Sequence, residues 1–267
     1  MSPASMLTAD QVAVVIPALN EARSIRAVVQ AALSHVPCVI VVDDGSDDDT
    51  AAQLVDLSVT VLRHRHRLGK GAALRTGFAE ALRQGRRGAL TMDGDGQHDA
   101  ADLPRLLAAA ASHPDCIIIG ARLQHRAQQP WPRRLANEFG DWGIAWACGY
   151  RIADTQSGQR YYPSAVCRLA DVPGEDFVFE AQLLISAARE LGFGVVSVPI
   201  ESRYRDAEGQ ALRRSHFRPL RDLYRITRHV VAQVLTRGRV VQAYRGCRAQ
   251  GPRIHDPRGS LVAPPPQ

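Results

Sequence analysis

Short apolar runs alternate with apolar stripes of helical spacing between Val12 and Ile119. Val12–Ile16 is a continuous apolar run, the pattern of a strand buried on both faces; Cys38–Val42 reads as the next buried strand, and Val59–Leu62, Ala89–Met92 and Cys116–Ile119 as further strands. Between them, Ile25, Val28, Val29, Ala32 and Leu33 recur at helical spacing. So do Ala73, Leu74, Phe78, Ala81 and Leu82 after Gly69-Lys70-Gly71. Ala51–Val55 and about 101–111 read as two further helices. Strand and helix in alternation, with short connections, predict an α/β fold: a mostly parallel central sheet with helices on both faces. In such a sheet the ligand site lies at the carboxyl ends of the strands.

Beyond Arg122 the pattern changes. Gln124–Arg134 is polar, basic and proline-containing, and reads as a loop. A Trp-rich helix of about 135–148 follows, then the polar turn Asp154-Thr155-Gln156-Ser157-Gly158. Phe177–Leu191 reads as a helix carrying Glu180, and Val195–Pro199 as a last strand. From about Pro219 to Thr236 a basic helix places Leu220, Leu223, Ile226, Val230, Val231 and Val234 on one side. Two readings of that stripe stand: packing against the domain, or resting on anionic lipid. The expected division is a tail at 1–11, a main domain at 12–215, a basic amphipathic helical appendage at 216–245 and a disordered tail at 246–267.

The strand ends carry the chemistry. Ala89–Met92 runs into Asp93-Gly94-Asp95-Gly96-Gln97-His98. In extended geometry alternate side chains share a face, so Asp93 and Asp95 can point at one ion. Hard carboxylate oxygens at that spacing suit Mg²⁺ or Mn²⁺, with diphosphate oxygens completing the shell. An EF-hand is excluded, because its sixth position needs glycine and here holds His98. A second acidic turn, Asp43-Asp44-Gly45-Ser46-Asp47-Asp48-Asp49-Thr50, closes the Cys38–Val42 run, so the two can converge.

Composition narrows the field. The 267 residues, 45% hydrophobic, suffice for one large domain with appendages. A net charge of +6 and a pI near 9.4 favour an anionic partner: a nucleotide, an acidic lipid surface or nucleic acid. No nucleic-acid motif and little aromatic interleaving accompany the C-terminal arginines, so no nucleic-acid partner is expected. Five cysteines, an odd number without Cys-x-x-Cys, indicate neither a disulfide framework nor a zinc site. No leader pattern and no apolar window of about 18 residues is found, which predicts a cytoplasmic protein, or one peripheral on the inner face of the plasma membrane. The turn after the first strand, Pro17-Ala18-Leu19-Asn20-Glu21, lacks the Gly-x-Gly-x-x-Gly of dinucleotide-binding enzymes. Neither a P-loop nor a Gly-x-Ser-x-Gly elbow occurs.

The ordered set of motifs resembles the family 2 glycosyltransferases of GT-A fold, and within them the polyprenyl-phosphate (dolichyl-phosphate) mannose or glucose synthases. The matching elements are Val15–Glu21, Val41–Ser46, Gly69–Ala73 with Gly77, Asp93–His98, Gly120–Arg122, Asp154–Gly158, Phe179-Glu180, Val198–Ile200, and Ser215–Phe217 with Pro219 and Asp222. They span roughly residues 12 to 226. Many relatives have Phe after the Ser-Gly of the Asp154 turn, where this chain has Gln159. Many also carry C-terminal membrane helices that do not occur here.

The resemblance implies an inverting, metal-dependent hexose transfer from a nucleotide sugar, of GDP-mannose or UDP-glucose type, to a lipid phosphate at the membrane surface. It places Pro17, Asn20, Glu21, Asp43, Asp44, Lys70 and Asp93 around the nucleotide sugar, and the metal on Asp93, Asp95 and Gln97. It places Arg122, Arg133, Arg134, Arg203 and Arg205 on the acceptor phosphate, a group that a guanidinium fork suits. Asp95 and Asp154 are the catalytic candidates. A lipid phosphate arrives anionic and needs no strong base, whereas a neutral hydroxyl acceptor needs a carboxylate to take its proton, and there Asp154 is the candidate. A family 2 enzyme acting on a hydroxyl of another cell-envelope lipid or hydrophobic acceptor is the first alternative. A nucleotidyltransferase using the same aspartates and a nucleic-acid binder are the others.

Overall fold

The computed structural model describes residues 7–123, 131–174, 176–201, 219–236 and 240–257, with backbone alone at 131–137, 139, 177, 219–224 and 226. Seven strands form one sheet: β1 Val12–Ala18, β2 Val39–Asp43, β3 Thr60–Arg63, β4 Gly88–Thr91, β5 Cys116–Ala121, β6 Arg160–Pro163 and β7 Gly194–Pro199. Among the described residues eight α-helices accompany them: α1 Ile25–Leu33, α2 Lys70–Arg83, α3 Leu103–Ser112, α4 Trp131–Cys148, α5 Ser164–Cys167, α6 Asp176–Glu190, α7 Pro219–Thr236 and α8 Val240–Ala249.

The sheet order is β3-β2-β1-β4-β6-β5-β7. The chain winds outward from β1 to β3 and returns to β1's other side with β4. The carboxyl ends of β1 and β4 therefore flank a topological switch point, where open α/β sheets bind ligands. Alternation along β1 explains the two layers. Val12, Val14 and Ile16 join α1 and α3 in one core, whereas Ala13 and Val15 join α2, α4 and α6 in the other. Both faces are covered, so the strand is apolar throughout.

β6 was not expected. This four-residue strand lies antiparallel between β4 and β5, pairing Thr91 with Arg160 and Ile118 with Tyr161. Ala51–Val55, expected as a helix, is a single 3₁₀ turn at Ala52–Leu54.

The basic helix α7 packs on the domain. Val230 and Val234 are buried in the same core as α4 and α6, and His229 Nε2 lies 2.5 Å from Gln182 Oε1 of α6. Val231 stays 49% exposed, so only part of the stripe is covered. Leu220, Leu223 and Ile226 have side chains outside the described set. The stretch expected to be disordered from residue 246 carries the end of α8 and then an extended segment beside the edge strand β7. There Ser197 N–H donates to Arg253 O at 2.9 Å and His255 N–H donates to Ser197 O at 2.8 Å. Backbone pairing at an otherwise open sheet edge is what orders it. Among the described residues no helix is long and apolar enough to cross a membrane.

Candidate active site

Three loops meet at the carboxyl ends of β1, β2 and β4. Asn20 adopts a left-handed backbone (φ 58°), a conformation its short polar side chain tolerates. Asn20 N–H donates to Ser46 Oγ (2.9 Å), and Asn20 Oδ1 accepts from Asp47 N–H (2.8 Å). Glu21 N–H donates to Thr50 Oγ1 at 2.8 Å. The first turn is thereby tied to the second acidic turn. Ser24 Oγ then donates to Gly94 O at 2.8 Å and ties both to the Asp93 loop. A Cβ on Gly94 would lie 3.4 Å from Pro17 O, so Pro17 and Glu21 border the Asp93–Asp95 turn.

Adjacent aspartates take different roles. Asp43 is fully buried: its Oδ1 accepts from Ser46 N–H at 2.8 Å, and its Oδ2 has no hydrogen-bond partner, with Arg63 Nε at 3.2 Å as an ionic neighbour. An unfilled buried carboxylate oxygen suits an incoming N–H or hydroxyl of a ligand. Asp44 instead accepts from Leu68 N–H and Gly69 N–H at 2.9 and 2.7 Å, with His64 Nδ1 at 2.7 Å. Its carboxylate holds the 64–69 loop.

Lys70 is the first residue of α2. Its Nζ lies 2.8 Å from Asp93 Oδ1 and 3.4 Å from Glu180 Oε2. Burial opposes the charges on Lys70 and Asp93, but each answers the other. Asp93 is held well below the usual carboxylate range by the Lys70 ammonium, and Lys70 well above the usual amine range by Asp93 and Glu180. His98 is buried, and burial lowers its pKa. Its Nδ1 accepts from Asp93 N–H at 3.1 Å, which leaves the ring proton on Nε2, 3.8 Å from Asp93 Oδ2. Asp95 is pushed up to about 6 by burial and by the charge of Asp93. Gln97 N–H donates to Asp95 Oδ1 at 3.0 Å.

Two carboxylates on one turn that repel each other form a donor set which a divalent cation relieves. Among the described residues no group of three or more His, Cys, Asp or Glu gathers as a metal cluster. A divalent ion at this turn would have Asp93 and Asp95 as its carboxylates, with Gln97 beside them. This is the mode Mg²⁺ and Mn²⁺ favour over an all-protein cage.

The Asp154 turn lies across the site. Asp154 is buried and accepts from Arg122 N–H and Nε at 3.1 and 2.9 Å through Oδ2. Through Oδ1 it accepts from Arg122 Nη2, Gln156 N–H and Ser157 N–H at 3.1, 3.1 and 3.2 Å. Arg122, expected at an acceptor phosphate, is therefore turned onto Asp154. The side chains of Arg133 and Arg134, and all of Arg203 and Arg205, lie outside the described residues. Gln159 is buried and donates through Nε2 to Asp99 O at 2.9 Å, behind the Asp93 loop.

Sequence reasoning missed Arg160. This buried arginine on β6 donates to Ser157 O and Thr155 O, both at 2.6 Å, and to Tyr162 OH at 3.0 Å, with Glu180 Oε1 4.0 Å away. It clamps the Asp154 turn from beneath. The only signal for it was its place ahead of the Tyr161-Tyr162 pair. Thr155 is held from the other side, its N–H and Oγ1 donating to Asp141 Oδ1 at 2.8 and 2.6 Å.

The chain matches a model of Glycosyl transferase family 2 over residues 13–167. It is 32% identical over 212 residues to polyprenol monophosphomannose synthase of Mycolicibacterium smegmatis, covering 74% of this chain and 79% of that protein. It is 31% identical over 204 residues to undecaprenyl-phosphate mannosyltransferase of Micrococcus luteus, covering 71% and 82%. Among solved structures, glucosyl-3-phosphoglycerate synthase of Mycobacterium tuberculosis with Mn²⁺, UDP-glucose and phosphoglyceric acid superposes with a TM-score of 0.60 at 21% identity. That match covers 85% of this chain and 79% of the synthase. The fold is the GT-A arrangement, and the chain belongs to glycosyltransferase family 2 and is a glycosyltransferase.

Proposed function

We propose that this glycosyltransferase moves a hexose, with inversion, from a nucleotide sugar to a polyprenyl-phosphate-like lipid, with a divalent ion at Asp93 and Asp95. The observation that carries the acceptor class is the state of Asp154. A carboxylate already accepting five N–H donors in a buried turn is a poor base for an incoming hydroxyl. An acceptor that arrives ionised needs no such base. The names of the Mycolicibacterium and Micrococcus relatives support the same class.

In this reading Asp43, Asn20, Glu21 and Pro17 border the base and ribose, and Asp43 Oδ2 accepts one of their donors. Asp93 and Asp95 hold the ion, which when bound supplies positive charge at the departing nucleoside diphosphate. Lys70 adds an ammonium on the same side. Arg160 and Asp141 fix the Asp154 turn, and Asp154 fixes Arg122 at the acceptor side. Arg133, Arg134, Arg203 and Arg205 remain the candidates for the acceptor phosphate. Exposed Val231 and Leu235 give α7 apolar groups for a peripheral place at the membrane.

The test is transfer of labelled sugar from GDP-mannose, UDP-glucose and UDP-N-acetylglucosamine to undecaprenyl phosphate, by wild type and Asp95→Ala. One donor should yield a lipid-linked sugar and a free nucleoside diphosphate, with Mn²⁺ or Mg²⁺ required and the variant inactive. Equal turnover in chelator, or no lipid product from any donor, would reject the proposal.

A further inference from the structure

The chain contains 33 Lys and Arg residues, and Lys70 is its single lysine. That one ammonium sits between two carboxylates, 2.8 Å from Asp93 Oδ1 and 3.4 Å from Glu180 Oε2, with 19% of its side chain exposed. Neighbouring backbone closes on it. A Cβ on Gly158 would lie 3.1 Å from Nζ and 2.7 Å from Asp93 Oδ2. A compact point charge fits there, whereas a planar guanidinium needs more room.

Helix α6 holds Lys70 at both ends. Asp176 Oδ1 accepts from Lys70 N–H at 3.2 Å, and Glu180, one turn further on, reaches Nζ. Asp176 keeps this place in a left-handed backbone (φ 49°), and a Cβ on Gly69 would fall 2.4 Å from its Oδ1. Glycine at 69 and an unusual φ at 176 are both features of the grip.

We infer that Lys70 is the resident counter-ion of the metal site: it occupies the cation's place at Asp93, and a divalent ion enters by displacing it toward Glu180 and the incoming diphosphate. This rests on Asp93 being a metal ligand. The exchange couples the two ligands. Metal alone must expel an ammonium from its carboxylate and binds weakly, whereas metal with a nucleoside diphosphate brings the negative charge that receives the ammonium. Lys70 acts here as a positioning residue with opposite effects on the two ligands, a signature that general loss of structure cannot give.

The experiment measures Mn²⁺ binding by electron paramagnetic resonance, and UDP and GDP binding in Mn²⁺ by calorimetry, on full-length wild type and Lys70→Gln. Lys70→Gln should bind Mn²⁺ alone at least 10-fold more tightly than wild type, and bind the nucleotide at least 10-fold more weakly. Equal or weaker Mn²⁺ binding by the variant overturns the exchange, even if wild type binds nucleotide with Mn²⁺ normally. Wild type that binds neither nucleotide in Mn²⁺ overturns the nucleotide-sugar site itself, and the exchange with it. A measurement without substitution covers a variant that does not fold. Lysine labelled with ¹⁵N at Nζ gives one ammonium resonance in this chain. It should move when Mg²⁺ and the binding nucleotide are added, and a resonance that stays still at saturation overturns the inference.

Discussion

Arg122 and Asp154 meet in a two-point ion pair, Nε to Oδ2 at 2.9 Å and Nη2 to Oδ1 at 3.1 Å, and the Arg122 backbone N–H donates to the same carboxylate. The pair joins the end of β5 to the 154–158 turn, and Asp154 is its buried member. Asp154→Asn keeps one acceptor oxygen and loses the fork. A structural Asp154 predicts a fall in transfer of about 10-fold or less with the pH–rate profile unchanged in shape. A general base would cost about 10²- to 10⁴-fold and remove the acidic limb of the profile. Arg122→Met should lower unfolding free energy by about 2–3 kcal/mol, since it takes the two-point guanidinium partner from a buried carboxylate. Urea denaturation of both single variants and the double variant measures the coupling, and additive losses would show the two side chains to be independent.

Asp95 titrates with its pKa raised from the ordinary 3.8 to about 6. Below about pH 3 it is protonated in the folded and the unfolded chain alike, so it contributes no pH-dependent difference there. As pH rises from 4 to 6 the unfolded chain releases the proton first, and folded stability falls by about 1–3 kcal/mol, allowing for partial exposure. Asp95→Asn should therefore raise the melting temperature of the metal-free protein at pH 7 to 8 and leave it unchanged near pH 3. The same variant should lose the metal-dependent stabilisation by nucleotide. A variant less stable than wild type at pH 7 would show that Asp95 is not repelled by Asp93.

His98 is buried neutral, its Nδ1 holding the Asp93 N–H. Its pKa is lowered, so the folded state disfavours the charged ring. The stability it contributes is present above the unfolded value near 6.5 and is lost as pH falls through the lower folded value. His98→Phe fills the space but orphans the Asp93 N–H, at a cost of about 1–3 kcal/mol. It should also flatten the acid side of the stability curve below pH 6.5. A curve with the wild-type slope would remove His98 from that linkage.

Gly158 tests the closeness of the two turns. A Cβ there lies 2.7 Å from Asp93 Oδ2 and 3.1 Å from Lys70 Nζ. Gly158→Ala should fold and weaken nucleotide binding in Mn²⁺ about 10-fold, because the Asp93 carboxylate must give way to the new Cβ and small misplacements in a binding site are costly. Calorimetry reads it, and wild-type affinity would mean that Asp93 is remote from the ligand.

Much of this was legible because strands β1, β2 and β5 are buried on both faces and so read as apolar runs. The acidic residues at their ends then had one place to go. β6 was not legible: it has four residues and begins with Arg160, whose charge is satisfied by the Ser157 and Thr155 carbonyls of a neighbouring turn. No pattern along the chain distinguishes such a buried arginine from a solvated one. Asp43 and Asp44 were equivalent in sequence, and only the loop bringing Leu68 and Gly69 N–H to Asp44 separates them. The segment after α8 looked disordered because its order comes from backbone pairing to Ser197, which leaves no mark in composition.

The measurement that bears most directly on the acceptor is a comparison of undecaprenyl phosphate with undecaprenol, at equal concentration in the same detergent, using whichever nucleotide sugar the enzyme accepts. Transfer to the phosphate alone, surviving in Asp154→Asn and abolished in Asp95→Ala, is the predicted result. Transfer to the free alcohol, lost in Asp154→Asn, would contradict it and make Asp154 the base of a hydroxyl-directed enzyme.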